Sequence, residues 1–303
     1  MRAFRIAYDG TDYFGFQRQP DVRTVEDTIF GALRRLEILA PDADKPDGYA
    51  AAGRTDAGVS ALAQTVAFDA PDWLTPRALN SELPADVRAW ASADASPSFH
   101  ATHHASERRY VYHLYAPAES RSTAALPEPT DDAQPSRRET GDATRVEDDR
   151  FRAALEALSG PHDFHNLTPD DRNTERSPTL EATRDGPFLV VTVSAGGFSR
   201  ELVRRLVSLA HSVGSGETPL AKVDRALADE PLAGHDGIAP APPEPLVLAA
   251  VEYPDLEFTV DEAAATSARR IFDRRRVEQR TVARVSRQLR DGLSADSHGG
   301  SEW

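Results

Sequence analysis

Phe4, Ile6 and Tyr8 alternate with Arg5 and Ala7 and run into Asp9-Gly10, a pattern that predicts a strand ending in a turn. Thr24 with Asp27 three positions on resembles a capping box. Val25, Ile29, Leu33 and Leu36 then recur at helical spacing, so a helix is expected to begin there. Further strands are expected over 65–68, 87–91 and 109–115, with a short helix opened by Thr75-Pro76. From 117 to 149 the periodicity dissolves into Pro, Ser, Thr, Asp and Glu, which reads as an acidic linker or solvated insertion. Beyond it, Phe151, Ala154, Leu155 and Leu158 mark a helix stopped by Gly160, and strands are expected over 179–183 and 188–194. Leu202, Val203, Leu206, Leu209 and Val213 then predict a helix, and 246–251 a last strand.

The expected organisation is an N-terminal α+β half over 1–116, the linker over 117–149 and a second α+β half over 150–260. An arginine-rich C-terminal extension over 261–303 completes it. The halves mix strands and helices in similar order, but no residue-level repeat relates them. In the extension, nine arginines and two acids lie between Arg269 and Arg290. Ile271, Val277, Val282, Val285 and Leu289 are too irregularly spaced for one continuous apolar stripe, although Val282, Val285 and Leu289 form a shorter one. Two readings follow: a helix docked by that short stripe with its arginines paired to acidic surface, or an arginine surface that binds phosphate.

Composition narrows the class. At 40% hydrophobic and 28% charged the chain is globular in type, and no apolar run approaches the roughly 20 residues needed to span a bilayer. The first residues carry no basic-then-apolar secretion pattern, so a cytoplasmic location is expected. Lacking cysteine, the chain excludes disulfides, thiolate nucleophiles and cysteine-held zinc or iron–sulfur centres. The net charge of −14 would ordinarily oppose a polyanionic partner. Only Lys45 and Lys222 are lysines, however, so the cations are nearly all arginine. That pattern suits molar intracellular salt, where the Debye length falls to about 3 Å and an acidic surface no longer repels at range. A halophilic, acidic RNA-binding protein is then physically reasonable.

The segment GRTDAGVSA, 53–61, places Asp56 in a glycine-flanked loop beside Arg54. Alone it reads as an Asx-turn. With an adjacent cation to keep it ionised, the same carboxylate on a rigid loop suits covalent or proton-abstracting chemistry at a sugar carbon. His100, His103 and His104 raise a competing histidine–metal hydrolase, yet no HExxH and no second ligand cluster accompanies them. No GxGxxG or GxxxxGK string occurs, so neither a cofactor nor a metal is indicated.

Four ordered blocks carry a resemblance: YDGTDYFGFQRQ (8–19), GRTDAGV (53–59), FHA with ERRYVY (99–101 and 107–112), and FSRELVRRLV (198–207). Together they resemble the TruA-type transfer-RNA pseudouridine synthases over about 5–254, apart from the linker. The resemblance implies the pseudouridine synthase fold, with two ferredoxin-like α+β halves sharing an antiparallel sheet around a central cleft. It implies cofactor-free isomerisation of uridine to pseudouridine in the anticodon stem-loop of tRNA, at nucleotides 38–40, by a homodimer. Asp56 matches the essential aspartate, with sugar attack and sugar-proton abstraction both open. Tyr110 matches the tyrosine placed against the target base, and Arg204 an arginine paired with the aspartate. Arg54 matches an arginine that helps displace the target nucleotide, and Leu246 and Leu248 apolar residues of the pocket wall. Plainer readings stand beside these: Tyr110 and Tyr112 share a strand face that core packing would explain, and Arg204 follows Arg200 by one turn, where helix arginines are commonly solvated. The resemblance departs at Pro245 and Val247, where glycine and an aromatic residue are more usual. A rival of another class is a catalytically silent RNA-binding module using Phe14, Phe16 and arginines as a platform.

Overall fold

In the computed structural model, which describes residues 1–118 and 145–293, the alternating N-terminal segment forms β1 (Arg2–Tyr8). The part of the expected linker over 119–144 lies outside the described residues. Thr24 caps α1 (Val25–Arg35) by accepting from the backbone N–H of Asp27 at 3.3 Å. The short β2 (Ala50–Ala51) precedes β3 (Ser60–Phe68). Thr75 caps α2 (Pro76–Asn80) through Ala78 N–H, with Pro76 in the first turn, where its missing donor costs nothing. Next come β4 (Val87–Asp94) and β5 (Glu107–Tyr115).

The second part opens with α3 (Asp148–Leu158), closed by Gly160 at φ +96°. A small hairpin of β6 (His162–Asp163) and β7 (Glu175–Arg176) leads to β8 (Thr179–Asp185) and β9 (Phe188–Ala195). After α4 (Leu202–Gly214) and α5 (Ala221–Ala226) come β10 (Leu246–Glu252), β11 (Thr259–Val260) and α6 (Glu262–Gly292).

The main sheet runs β11-β4-β1-β3-β10-β5-β9-β8, with β2 paired to β3. All its ladders are antiparallel except the junction of β3 with β10, where Val247 and Leu248 face Ser60 and Ala61 in parallel. Thus β10, late in the chain, lies between two earlier strands. One continuous core joins both parts: Phe4, Ile6, Tyr8, Ile29 and Phe30 belong to the same buried cluster as Phe151, Leu155, Val191, Leu206 and Leu248. The architecture is α+β, as expected.

Two elements differ from the expectation. β3 begins at Ser60, five residues earlier than the predicted start, because Ala61 and Ala63 lack the branched side chains that advertise a strand yet are buried in the sheet. The extension is not docked by Val282, Val285 and Leu289, which are 59%, 52% and 65% exposed. Instead α6 is one 31-residue helix whose first turns bury Ala264, Ala265 and Ala268 and contact β4 and α2. Small side chains let that end approach closely, and the valines lie beyond it.

Candidate active site

The loop between β2 and β3 carries Asp56, and its position is set by backbone contacts with the segment that follows β1. Gly10 has no room for a side chain: a Cβ there would lie 2.0 Å from the carbonyl oxygen of Val59. Gly15, at φ +90°, would bring a Cβ within 2.9 Å of Thr55 O. These close approaches allow Phe16 N–H to donate to Thr55 O at 3.0 Å, and Gly58 N–H to Tyr13 O at 3.1 Å. Gly10 N–H also donates to Ser60 Oγ at 3.0 Å, while the buried Tyr8 hydroxyl meets Thr55 Oγ1 at 2.7 Å. On the other side, a Cβ on Gly58 would meet Pro243 at 2.8 Å. The loop is therefore wedged between the 10–16 segment and the approach to β10. The glycines of two separate motifs make that wedge possible.

Asp56 is partly buried, and burial is the main cause that raises its pKa above the ordinary carboxylate value. Arg204 opposes the rise, with Nη1 3.3 Å from Asp56 Oδ2. Arg204 is itself fixed, since its Nε donates to Ala241 O at 2.6 Å. It sits in the first turn of α4, shortly after Glu201, which adopts the left-handed conformation at φ 59°. A non-glycine residue held there is a strained turn, and it marks where the chain redirects into the helix that supplies the arginine. Glu201 is steadied by a 2.6 Å ion pair with Arg205, and Arg200 by one of the same length with Asp170.

Tyr110 is buried on β5 and packs edge-on against Phe198 with ring centroids 5.3 Å apart. Burial first, and the nearby Asp56 carboxylate second, push its hydroxyl up to about 12, so it stays protonated at neutral pH. Tyr112, on the same strand face, uses its hydroxyl structurally by donating to Pro242 O at 3.0 Å. That bond helps hold the proline segment against Gly58.

A cleft of about 620 Å³ opens over these groups. Asp56, Tyr110, Arg204, Arg54 and Leu246 all line it, with Arg54 exposed. Leu248 does not; it is 1% exposed and lies opposite Tyr110 in the β5–β10 ladder, in the core. Phe16 is 1% exposed and stacked near Tyr8, so it offers no surface platform, whereas Phe14 is exposed. His100 reaches the cleft edge and sits against His103 at 4.2 Å between ring centroids. Among the described residues no group of three or more histidines and acids is placed to hold a metal.

Arg108 is the cleft residue that pattern reading misses. Buried on β5 two positions before Tyr110, its guanidinium donates to Ala52 O at 2.7 and 3.0 Å, to Thr102 O at 2.7 Å and to Gly196 O. It thereby ties the start of the Asp56 loop, the histidine turn and the end of β9 together. The available signal is an arginine at a period-2 core position, where a buried cation requires several acceptors.

Comparison with known proteins agrees with this geometry. The family model described as tRNA pseudouridine synthase matches residues 154–254. The tRNA pseudouridine synthase A of Haloarcula marismortui is 57% identical over 293 residues, covering 97% of this chain and 100% of the relative. That of Natronomonas pharaonis is 56% identical, covering 95% and 98%, and that of Methanosarcina acetivorans 33%, covering 95% and 97%. Identity of this extent runs through both halves of the sheet and the segments that form the cleft, and by it the chain belongs to the tRNA pseudouridine synthase family.

Proposed function

We propose that the cleft isomerises uridine to pseudouridine in the anticodon stem-loop of tRNA, with Asp56 as the catalytic carboxylate. The observation that carries this is Asp56 itself, a partly desolvated carboxylate on a wedged loop, with Arg204 on one side and the protonated Tyr110 nearby. The reaction breaks the bond from N1 to C1′, turns the uracil, forms the bond from C5 to C1′ and releases the C5 proton while N1 takes one up. It needs no net redox change. Asp56 initiates it, either by attacking C1′ or by taking a sugar proton, and in both roles only the ionised form acts. Arg204 favours that form against the cost of burial.

A stacked uridine must leave its helix to reach Asp56, at a cost of a few kcal/mol. Arg54, exposed at the cleft, is suited to occupy the vacated position or hold the flanking backbone, and Tyr110 and Leu246 supply the face and wall against which the base rests. In the same reading residues 1–116 provide the catalytic loop and 150–260 its arginine. The protein acts in the cytoplasm as a homodimer.

The test uses tRNA transcribed with tritium at C5 of uridine. The wild-type chain should release label from the anticodon stem-loop and leave pseudouridine there. Asp56→Asn should bind the same RNA and release none. Label release elsewhere in the tRNA, or release by the variant, would overturn the site or the assignment respectively.

A further inference from the structure

Among the described residues, α6 touches the body of the protein only along its first half. Asp261 caps it through Ala264 N–H at 3.0 Å, and Ala264, Ala265 and Ala268 are buried. Among the described residues, the last ion pair to the body is Arg275 with Asp9, at 2.6 Å. From Arg276 to Leu293 every residue is exposed. At 1.5 Å per residue the stretch beyond Arg275 projects for about 25 Å. It leaves the body beside the site, because Asp9 precedes Gly10, the residue that abuts Val59 of the catalytic loop.

Six of the nine arginines between 269 and 290 share one side of the helix, while Arg270, Arg274 and Arg275 lie off it. With 3.6 residues per turn, Arg269, Arg276, Arg280, Arg284, Arg287 and Arg290 fall within about one third of the helix circumference. Arg275 lies off that stripe, toward the alanine face, and it is the arginine that reaches the body. Glu278, Val282, Val285 and Leu289 lie on the opposite side of the helix.

Arg276 and Arg290 pair with neighbouring acids on the helix itself, whereas Arg280, Arg284 and Arg287 have no carboxylate in ion-pair reach among the described residues. Like charges three and four residues apart weaken a helix, so Arg280, Arg284 and Arg287 are a local cost that no ion pair of their own among the described residues offsets. A helix whose arginines served the acidic body would turn them toward it. This one turns a cationic face outward from a chain of net charge −14.

We infer that the arginine face of α6 grips the phosphate backbone of tRNA outside the catalytic cleft, an inference that rests on the tRNA-modifying function proposed above. Planar guanidinium groups bind phosphate oxygens in pairs and at short range, so they work where salt has removed long-range attraction. The arm takes no part in the chemistry. It adds backbone contacts that read no sequence and hold the RNA while a uridine enters the cleft.

The test is made on the full chain with two triple variants of the arm, Arg280→Gln with Arg284→Gln and Arg287→Gln, and Val282→Gln with Val285→Gln and Leu289→Gln. Binding of unmodified tRNA is measured across a series of KCl concentrations in which circular dichroism shows both variants folded. The arginine triple should weaken binding at least about tenfold. It should also flatten the dependence of log K on log salt by about 0.7 to 0.9 for each phosphate that is no longer neutralised. Its single-turnover rate at saturating RNA should match wild type, and the apolar triple should bind as wild type does.

Unchanged affinity and slope in the arginine triple would overturn the inference. So would an equal loss in the apolar triple, which would place the effect in the arm's packing rather than its charge. A change in sedimentation with intact RNA binding would also overturn it, by assigning the arginine face to a contact between copies. A wild-type chain that binds tRNA but releases no C5 label sinks the catalytic reading and leaves the binding result standing.

Discussion

The Asp56 loop and the α6 arm are both polar, both arginine-bearing and one short step apart at Asp9 and Gly10, yet they are held in opposite ways. The loop is fixed by close backbone approaches on two sides, with Gly10, Gly15 and Gly58 at points where even a methyl group collides. The arm beyond Arg275 is exposed along its whole described length, and helical hydrogen bonds give it its shape. On the roles proposed for them, the difference follows from what each has to touch. Bond making at a sugar carbon tolerates misplacement of only about 0.5 Å, whereas contact with a phosphate backbone repeats along the RNA and forgives sliding.

The contrast breaks most sharply at Asp56. Asp56→Asn should lower turnover more than about a thousandfold, since an amide keeps the shape but neither attacks carbon nor accepts a proton. Tritium release at even a tenth of the wild-type rate would remove the loop's claim to the chemistry. Next in size is Gly10→Ala. A Cβ 2.0 Å from Val59 O must displace the loop, and a shift near 1 Å should cost about a hundredfold in single-turnover rate. If that variant turns over normally, the wedge is not what positions Asp56.

Arg204→Gln sharpens the electrostatic part. Burial already holds the pKa of Asp56 up and Arg204 pulls it down, so removing the cation should raise it further. The active form is ionised and is lost as pH falls. The acid limb of the single-turnover profile should therefore move to higher pH, with activity lost first at the acid end of the range. An acid limb that stays in place would show that another group sets it. The smallest effect belongs to the arm. In Gly292→Ala the added Cβ meets no atom within 4 Å, so activity should be unchanged and Tm should shift by no more than about a degree or two. A large change there would mean the end of α6 is packed against something.

Thr24, Thr75 and Gly160 act as the start and stop signals they resemble in the sequence, because capping is local physics settled within four residues. Asp56, Tyr110 and Arg204 are identifiable through motif strings, and the fold brings them to one cleft although they are distant along the chain. What cannot be read there depends on pairs of segments. The need for glycine at position 10 exists only because Val59 lies across from it. Phe16 has the pattern of a surface aromatic, but the fold buries it beside Tyr8, and Leu248 is drawn into the core by its place opposite Tyr110. The docking of α6 escapes pattern reading for a related reason: apolar periodicity favours large side chains, and a close helix approach is made by small ones.

The position of β10 has a consequence for the order in which this protein can come into being. Among the described residues it alone bridges the β4-β1-β3 group and the β5-β9-β8 group. A ribosome-bound chain that has not yet released residues 246–252 holds two part-sheets with facing unpaired edges, and its Asp56 and Arg204 have no ladder to bring them together. The Asp56–Arg204 pair thus depends on a strand made after every other strand of both groups. A chain that stops short of β10 carries both residues of the pair without the ladder that joins the two groups.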